Sequence, residues 1–306
     1  MTGSPLVSIL VGFLDAERFI EETIASVFDQ TLGDWELILV DDGSSDRSSS
    51  VAQRYAAENP ERVHYLTHEG HRNRGVCASR NLALSRARGR FVAILDADDV
   101  WLPQKLAQQV EILNGHPRAG MVFGAARYWR SWDKSAAGMR RDYTPRLGIE
   151  AETIHEPPTL LRSCHPLGRA AAPCPSDLLL RKEVLLSVRG FEEAFTGIYQ
   201  MYEDQAFLAK IYLSTPVFAS AGTWTLYRLH EGSCCHRVGT SGQELHVRNF
   251  YLDWLDHYLR DHGNRDLRIR RALRRAQLLG RHPWADRLLS WPRQIKEMAK
   301  NLARPS

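Results

Sequence analysis

The sequence is poor in the features that mark several large protein classes. Nowhere do apolar residues run to the roughly 18 needed to span a bilayer, although 43% of the 306 residues are hydrophobic. Five cysteines (Cys77, Cys164, Cys174, Cys234 and Cys235) make no CxxC pair, and their odd number suits a reducing compartment. The opening Met1-Thr2-Gly3-Ser4-Pro5 runs straight into an apolar stretch too short for the core of a secretion signal. A cytoplasmic protein is therefore expected. The net charge of +4 is too small by itself to argue for a nucleic-acid partner. Gly12 stands alone after the first apolar stretch, with no GxGxxG, and no GxxxxGK[ST] occurs anywhere. Those absences argue against a dehydrogenase-type dinucleotide site and against a P-loop nucleotidase.

What is present is a regular alternation. Leu6 to Val11 reads as a first strand, and Asp15 as a plausible N-cap for a helix bearing Phe19, Ile20, Ile24, Val27 and Phe28. Trp35 to Val40 is a second strand ending in Asp41-Asp42-Gly43-Ser44-Ser45-Asp46, and a helix through Val51 and Tyr55 follows. Val63 to Leu66 makes a third strand, and Asn73 to Asn81 opens a helix that Gly89 ends. Phe91 to Leu95 is the fourth strand, and Pro103 starts the next helix. Strand and helix in turn, joined by short loops, predict a doubly wound, mainly parallel α/β sheet. The length allows one large domain with an appendage, or two modest ones.

The fourth strand leads into Asp96-Ala97-Asp98-Asp99, three carboxylates within four residues at a strand's carboxyl end. Ligands of open α/β sheets bind there. Such crowded carboxylates suit a hard divalent ion, Mn2+ or Mg2+, that keeps positions open for phosphate. A solvated acidic turn capping the next helix is the plainer alternative, with Asp99 as that cap. His64, His68 and His71 sit in a polar, Gly70-containing stretch, where a structural or solvated role outweighs a metal site. Acidic strand ends without a phosphate loop imply a nucleotide held through a metal and through hydrogen bonds to base and ribose.

Val7-Ser8-Ile9-Leu10-Val11, Glu36 to Asp46, Gly75 to Asn81, and Phe91 to Trp101 with Pro103 resemble, in order and spacing, the inverting glycosyltransferases of family 2. The resemblance covers roughly residues 5–235. It implies a GT-A fold and transfer of a sugar from a nucleotide-sugar, UDP-linked by preference, to a hydroxyl of a glycan, glycolipid or other glycoconjugate. By the same resemblance Asp42 meets the base, Asp96 the ribose and metal, and Asp98 the metal. Arg80 takes the place of a basic residue near the nucleotide, and Gly12 and Asp15 lie in the first nucleotide loop. Met201-Tyr202-Glu203-Asp204-Gln205 resembles the family's segment carrying the general base, which makes Asp204 the catalytic residue. Tyr227 to Ser233 resembles the stretch where a His or Arg approaches the diphosphate, so His230 joins the metal candidates. One departure is Leu14, which cannot stack on a base as an aromatic would. Asp15 then stands where members often carry Asn.

The implied domain runs over residues 1–238, with a nucleotide-binding half (about 5–125) and an acceptor half (about 126–238). Residues 124–175 read as long irregular loops, where Trp129 and Trp132 are candidates either for stacking an acceptor sugar or for core packing. Residues 239–306 form a helical, basic extension rich in arginine, with Trp284, Leu288, Leu289 and Trp291 interleaved. It suits either an anionic membrane surface or packing on the domain or a partner. No nucleic-acid module is recognisable. A non-catalytic nucleotide-sugar-binding scaffold and a sugar nucleotidyltransferase are the alternatives. The latter needs a basic, glycine-rich first loop, which Gly12 to Ala16 does not supply.

Overall fold

The computed structural model describes residues 3–134 and 141–281; Arg140, Trp284, Arg287, Leu288, Leu289 and Trp291 lie outside them. In chain order the elements are β1 (Val7–Phe13), α1 (Ile20–Phe28), β2 (Trp35–Asp41), α2 (Ser48–Glu58), β3 (Val63–Thr67), α3 (Val76–Arg86) and β4 (Phe91–Ile94). Next come β5 (Val100–Trp101), α4 (Lys105–Gly115), β6 (Met121–Phe123), β7 (Arg127–Trp129), β8 (Thr153–His155), α5 (Thr159–Ser163), β9 (Leu179–Arg181) and α6 (Lys182–Ser187). The chain closes with α7 (Glu203–Ser214), β10 (Val217–Ala219), β11 (Thr225–Arg228), α8 (Cys234–Ser241), α9 (Glu244–Asp261) and α10 (Leu267–Arg281).

One eight-stranded sheet takes the order β3-β2-β1-β4-β9-β6-β10-β8. The first four strands are mutually parallel, as the sequence pattern predicts. β9 runs antiparallel between β4 and β6, and β8 antiparallel on the edge beside β10. The chain reverses direction across the sheet at β1, with β2 on one side and β4 on the other. That is the switch point where open sheets bind ligands. A second sheet, β5-β11-β7, hangs over the carboxyl end of β4.

The apolar runs of β1, β2 and β4 are buried on both faces, as central parallel strands require. Their side chains alternate between two cores. Leu10, Ile38, Val40, Val92 and Ile94 join one with α3 and α7. Val7, Ile9, Val11, Leu37, Leu39 and Phe91 join the other with α1 and α4.

The first of these cores continues through the C-terminal helices. Val247, Tyr251, Leu252, Leu255 and Leu259 of α9 and Ile269, Leu273 and Ala276 of α10 are buried with Phe207, Leu208 and Ile211 of α7. The buried face of α10 is apolar, so the described helices after residue 239 pack on the domain as far as Arg281. Among the described residues no helix is long and apolar enough to cross a membrane.

The stretch 124–175 contains β7, β8 and α5 as short islands within irregular chain. His68 Nε2 meets Ser79 Oγ at 3.0 Å, and His71 is held by Thr67 Oγ1 and the Ser44 carbonyl, each at 3.0 Å. These histidines lock the loop between β3 and α3 rather than face one another.

Candidate active site

The acidic turn after β4 is clamped from three directions. Thr23 of α1 donates its hydroxyl to the Ala97 and Asp99 carbonyls, each at 2.9 Å. Ser176 Oγ receives the Asp96 N–H at 3.1 Å and donates to Asp99 Oδ2 at 2.6 Å. The Arg228 N–H reaches Asp99 Oδ1 at 2.9 Å, and its Nε reaches the Asp98 carbonyl at 2.6 Å. Asp99 is therefore no helix cap. It is fully buried and pins β11 to the turn. Burial, then the neighbouring Asp98 and Asp96 charges, hold its carboxyl well above the usual range.

Pinning β11 sets His230 two residues farther on. Its Nε2 lies 2.9 Å from Asp98 Oδ2, and its ring rests on Phe19 with centroids 4.7 Å apart. Asp98 remains partly open to solvent. Among the described residues no cluster of three or more His, Cys, Asp or Glu is arranged to hold a metal. The pair Asp98–His230 fits one nonetheless. The two are hydrogen-bonded to each other, and a carboxylate and an imidazole are donor types that could together hold a divalent ion. Any ion held there would need further oxygen donors, such as phosphate or water, beyond these two side chains.

Asp96 faces the other way. Its Oδ1 accepts Arg80 Nη2 at 2.6 Å, and Arg80 Nη1 donates to Glu203 Oε1, also at 2.6 Å. Arg80 is only 2% exposed. This guanidinium fork joins the end of β4 to the start of α7. Glu203 packs against the Cys77 thiol as well, with Sγ 3.8 Å from its Oε2.

The next residue is Asp204. Its Oδ1 accepts the Gln205 N–H at 2.7 Å, and part of the side chain remains open. Burial first, and then Glu203, push its carboxyl up to about 7. Burial is the larger of the two causes.

The nucleotide-loop candidates resolve differently. Asp42 is 4% exposed, and its two oxygens accept the Arg74 and Gly75 N–H groups at 2.7 and 2.9 Å. It fixes the loop that opens α3. Asp15 does not cap α1, which begins five residues later. It adopts φ 47° and its Oδ1 accepts the Ser45 N–H at 2.7 Å and hydroxyl at 3.1 Å, joining the loops after β1 and β2. Gly12 lets β1 approach α3, since a Cβ there would lie 3.1 Å from Ser79 Cβ. Gly43 is required more strictly: at φ +90° its Cβ would meet the Asn73 nitrogen and the His71 carbonyl, both at 2.9 Å.

Trp129 and Trp132 pack around Arg228, whose guanidinium lies 4.5 and 5.2 Å from their ring centroids. Trp132 also donates its indole N–H to the Leu229 carbonyl at 3.0 Å. They brace the His230 segment, which is the packing alternative of the two.

Sequence reasoning missed Ser176, the hub of the turn, and the clamping role of Arg228. A serine before Asp177 carries no motif. Arg228 lay in a recognised segment, but the charge it meets at 2.6 Å, Glu22, lies 206 residues away.

The model of the family described as Glycosyl transferase family 2 matches residues 8–185. Among curated proteins, the chain is 43% identical over 109 residues to a provisionally named teichuronic acid biosynthesis glycosyltransferase, TuaG, of Bacillus subtilis. That segment is 36% of this chain and 42% of the relative. It is 39% identical over 108 residues, 35% of this chain and 41% of the relative, to the UDP-Glc:alpha-D-GlcNAc-diphosphoundecaprenol beta-1,3-glucosyltransferase WfgD of Escherichia coli. The chain thus spans about two-fifths of the length of the curated relatives it matches.

Among solved structures, S. aureus TarS 1-349 superposes with a TM-score of 0.61 at 19% identity, over 90% of this chain and 71% of that one. The mannosyltransferase PcManGT of Pyrobaculum calidifontis, in complex with GDP-Man and Mn2+, gives 0.58 at 20% identity over 100% and 77%. At those identities the likeness is one of fold, the GT-A fold. With the family's model covering more than half of the chain, this protein belongs to glycosyltransferase family 2.

Proposed function

We propose that the chain is an inverting glycosyltransferase that moves a sugar from a nucleoside-diphosphate sugar, UDP-linked by preference, to a hydroxyl of a glycan or glycoconjugate. The observation that carries this reading is the Arg80 fork. It ties the acidic turn, on the donor side, to the helix start that bears a carboxyl poised at about 7. Asp204 takes the proton from the acceptor hydroxyl, and a carboxylate with a raised pKa is a competent base near neutral pH. One displacement on the sugar carbon, with Asp204 on the acceptor side, inverts its configuration. Asp42, just after β2, would meet the base while also holding the Arg74 and Gly75 N–H groups, and Asp96, paired with Arg80, would meet the ribose. Asp98 and His230 would hold Mn2+ or Mg2+, which when bound supplies positive charge to the leaving diphosphate. Relatives and neighbours whose names carry UDP-Glc, UDP-GlcNAc or GDP-Man with Mn2+ support a nucleotide-sugar and a divalent ion. A reducing, cytoplasmic setting is part of the reading, supported by five free cysteines. So is peripheral contact of the basic face of α10 with an anionic membrane.

The test is Asp204→Asn, assayed for transfer from UDP-sugars and for Mn2+-dependent UDP binding. Transfer falls by about 10²–10⁴-fold, while UDP affinity stays within about twofold. A variant that transfers at the wild-type rate removes Asp204 from the role of base. A chain that binds UDP but shows no Asp204-dependent transfer to any glycan supports the scaffold alternative.

A further inference from the structure

The turn between α9 and α10 borders an open cavity of about 620 Å³, away from the catalytic residues in sequence and lined by none of them. Five arginines face it (Arg260, Arg265, Arg270, Arg271 and Arg274) against a single carboxylate, Asp256. Its lining alone thus carries a net of four positive charges, as much as the formal excess of the entire chain.

That carboxylate is already shared. Asp256 pairs with Arg260 through Oδ2 and with Arg270 Nη1 through Oδ1 at 2.9 Å. Arg270 Nη2 also donates to the Asn264 carbonyl at 3.0 Å, so this guanidinium is fixed by the protein. Arg265, Arg271 and Arg274 form no ion pair with another described residue.

The arrangement is not explained by amphipathicity alone. A solvated outer face needs arginines, and α10 has them in Arg268 and Arg275, which do not line the cavity. Arg270, Arg271 and Arg274 instead fall at i, i+1 and i+4 on the side turned toward Asp256 and Arg260. Like charges at i, i+3 and i, i+4 on a helix repel, and walls of protein on two sides strengthen the repulsion. An anion seated among them removes it.

Guanidinium forks match the oxygens of phosphate, and several converging forks exceed what one carboxylate can accept. A volume of about 620 Å³ is in the range of small-ligand sites. Leu267, 68% exposed, adds an apolar edge to the rim.

We propose that the α9–α10 cavity binds a phosphate-bearing ligand, a phosphomonoester or diphosphate group held by Arg265, Arg271 and Arg274 against the fixed Arg270. The group is supplied either by a soluble molecule or by a lipid head group. The site stands apart from the transfer reaction and from its metal.

The test uses the full chain in metal-free buffer with chelator, which silences the metal-dependent diphosphate site. Pyrophosphate is titrated by calorimetry and by its effect on the melting temperature. Arg271→Ala with Arg274→Ala is compared with Arg268→Ala with Arg275→Ala, an equal loss of charge on the same helix outside the cavity. All four side chains are exposed, so both variants keep the fold. The first pair weakens pyrophosphate binding by tenfold or more and abolishes the melting shift; the second leaves both within about twofold. Equal weakening by the two pairs, or none by either, overturns the site. The same proteins are sedimented with phosphatidylcholine vesicles with and without phosphatidic acid. Phosphatidic acid-dependent binding lost only in the first pair assigns the lipid head group. Pyrophosphate binding without vesicle binding assigns the soluble source.

Discussion

At the scale of single residues, the proposed chemistry turns on how two charges, those of Asp204 and Arg80, are held. Asp204 starts from an ordinary carboxyl value of 3.8 and sits at about 7 because burial and Glu203 disfavour its ionised form. In the proposed role of base it works only when ionised. Transfer therefore climbs with pH through about 7 and falls roughly tenfold per unit below it. The stability consequence has the opposite sense. A carboxyl raised in the folded state contributes stability fully below its unfolded pKa, and that contribution is lost as pH rises through about 7. Asp204→Asn, which keeps the shape without the charge, therefore melts higher than the wild type at about pH 8 while transfer is lost. A lower melting temperature at that pH would show that the site does not penalise the charge. Arg80 is the converse case. Removing it in Arg80→Leu leaves Asp96 and Glu203 facing each other without a cation, at a cost of about 3–5 kcal/mol. Arg80→Lys recovers only part of it, because an ammonium cannot span both carboxylates as the fork does. An unfolding free energy within about 0.5 kcal/mol of wild type for Arg80→Leu would remove the bridge from the account.

At the scale of elements, what could be read from the sequence and what could not divides along physical lines. β1, β2 and β4 were legible because strands buried on both faces read as continuous apolar runs, and the carboxylates at their ends follow directly. β6, β9 and β10 hold three residues each, too few to show a period, and β9 runs against the parallel pattern of the first half. The misread acidic residues share one cause. Asp99 meets Ser176 and Arg228 across 77 and 129 residues of chain, and Asp15 meets Ser45 across 30, so the nearest helix was the wrong place to seek their partners. Trp129 and Trp132 illustrate the same limit. Their composition suits a sugar platform, and only the fold shows Arg228 between them. The Asp99 clamp makes a testable element. Asp99→Ala leaves the Ser176 hydroxyl and the Arg228 N–H buried without an acceptor, about 1–3 kcal/mol for each. It also frees β11, and with it His230, from the turn. Mn2+-dependent stabilisation by UDP should then weaken in step with the melting temperature, whereas Thr31→Ala, on an exposed hydroxyl of the α1–β2 loop, moves neither. A normal Mn2+ response in Asp99→Ala would separate His230 from the donor site.

At the scale of the whole molecule, the question is whether the C-terminal helices are an appendage. Their sequence, dense in arginine, invites that reading. The packing argues otherwise. Leu255 and Leu259 of α9 are fully buried in the same cluster as Phe207 and Ile211 of α7, the helix whose first turn carries Asp204. The ring of Tyr251 stacks on Tyr202, with centroids 5.3 Å apart, one residue before Glu203. A core shared in this way melts in one transition with the domain it completes. Leu255→Ala therefore lowers the stability of the entire unit by about 2–5 kcal/mol. Calorimetry should show one endotherm moved downward, with UDP-dependent protection and unfolding lost together. Two transitions, the lower one alone sensitive to Leu255→Ala and the upper one still protected by UDP, would make α9 and α10 a separate unit. Under the single-core account, membrane and phosphate contacts must be dissected with exposed arginines of α10, because cutting the helices away removes the packing behind Asp204.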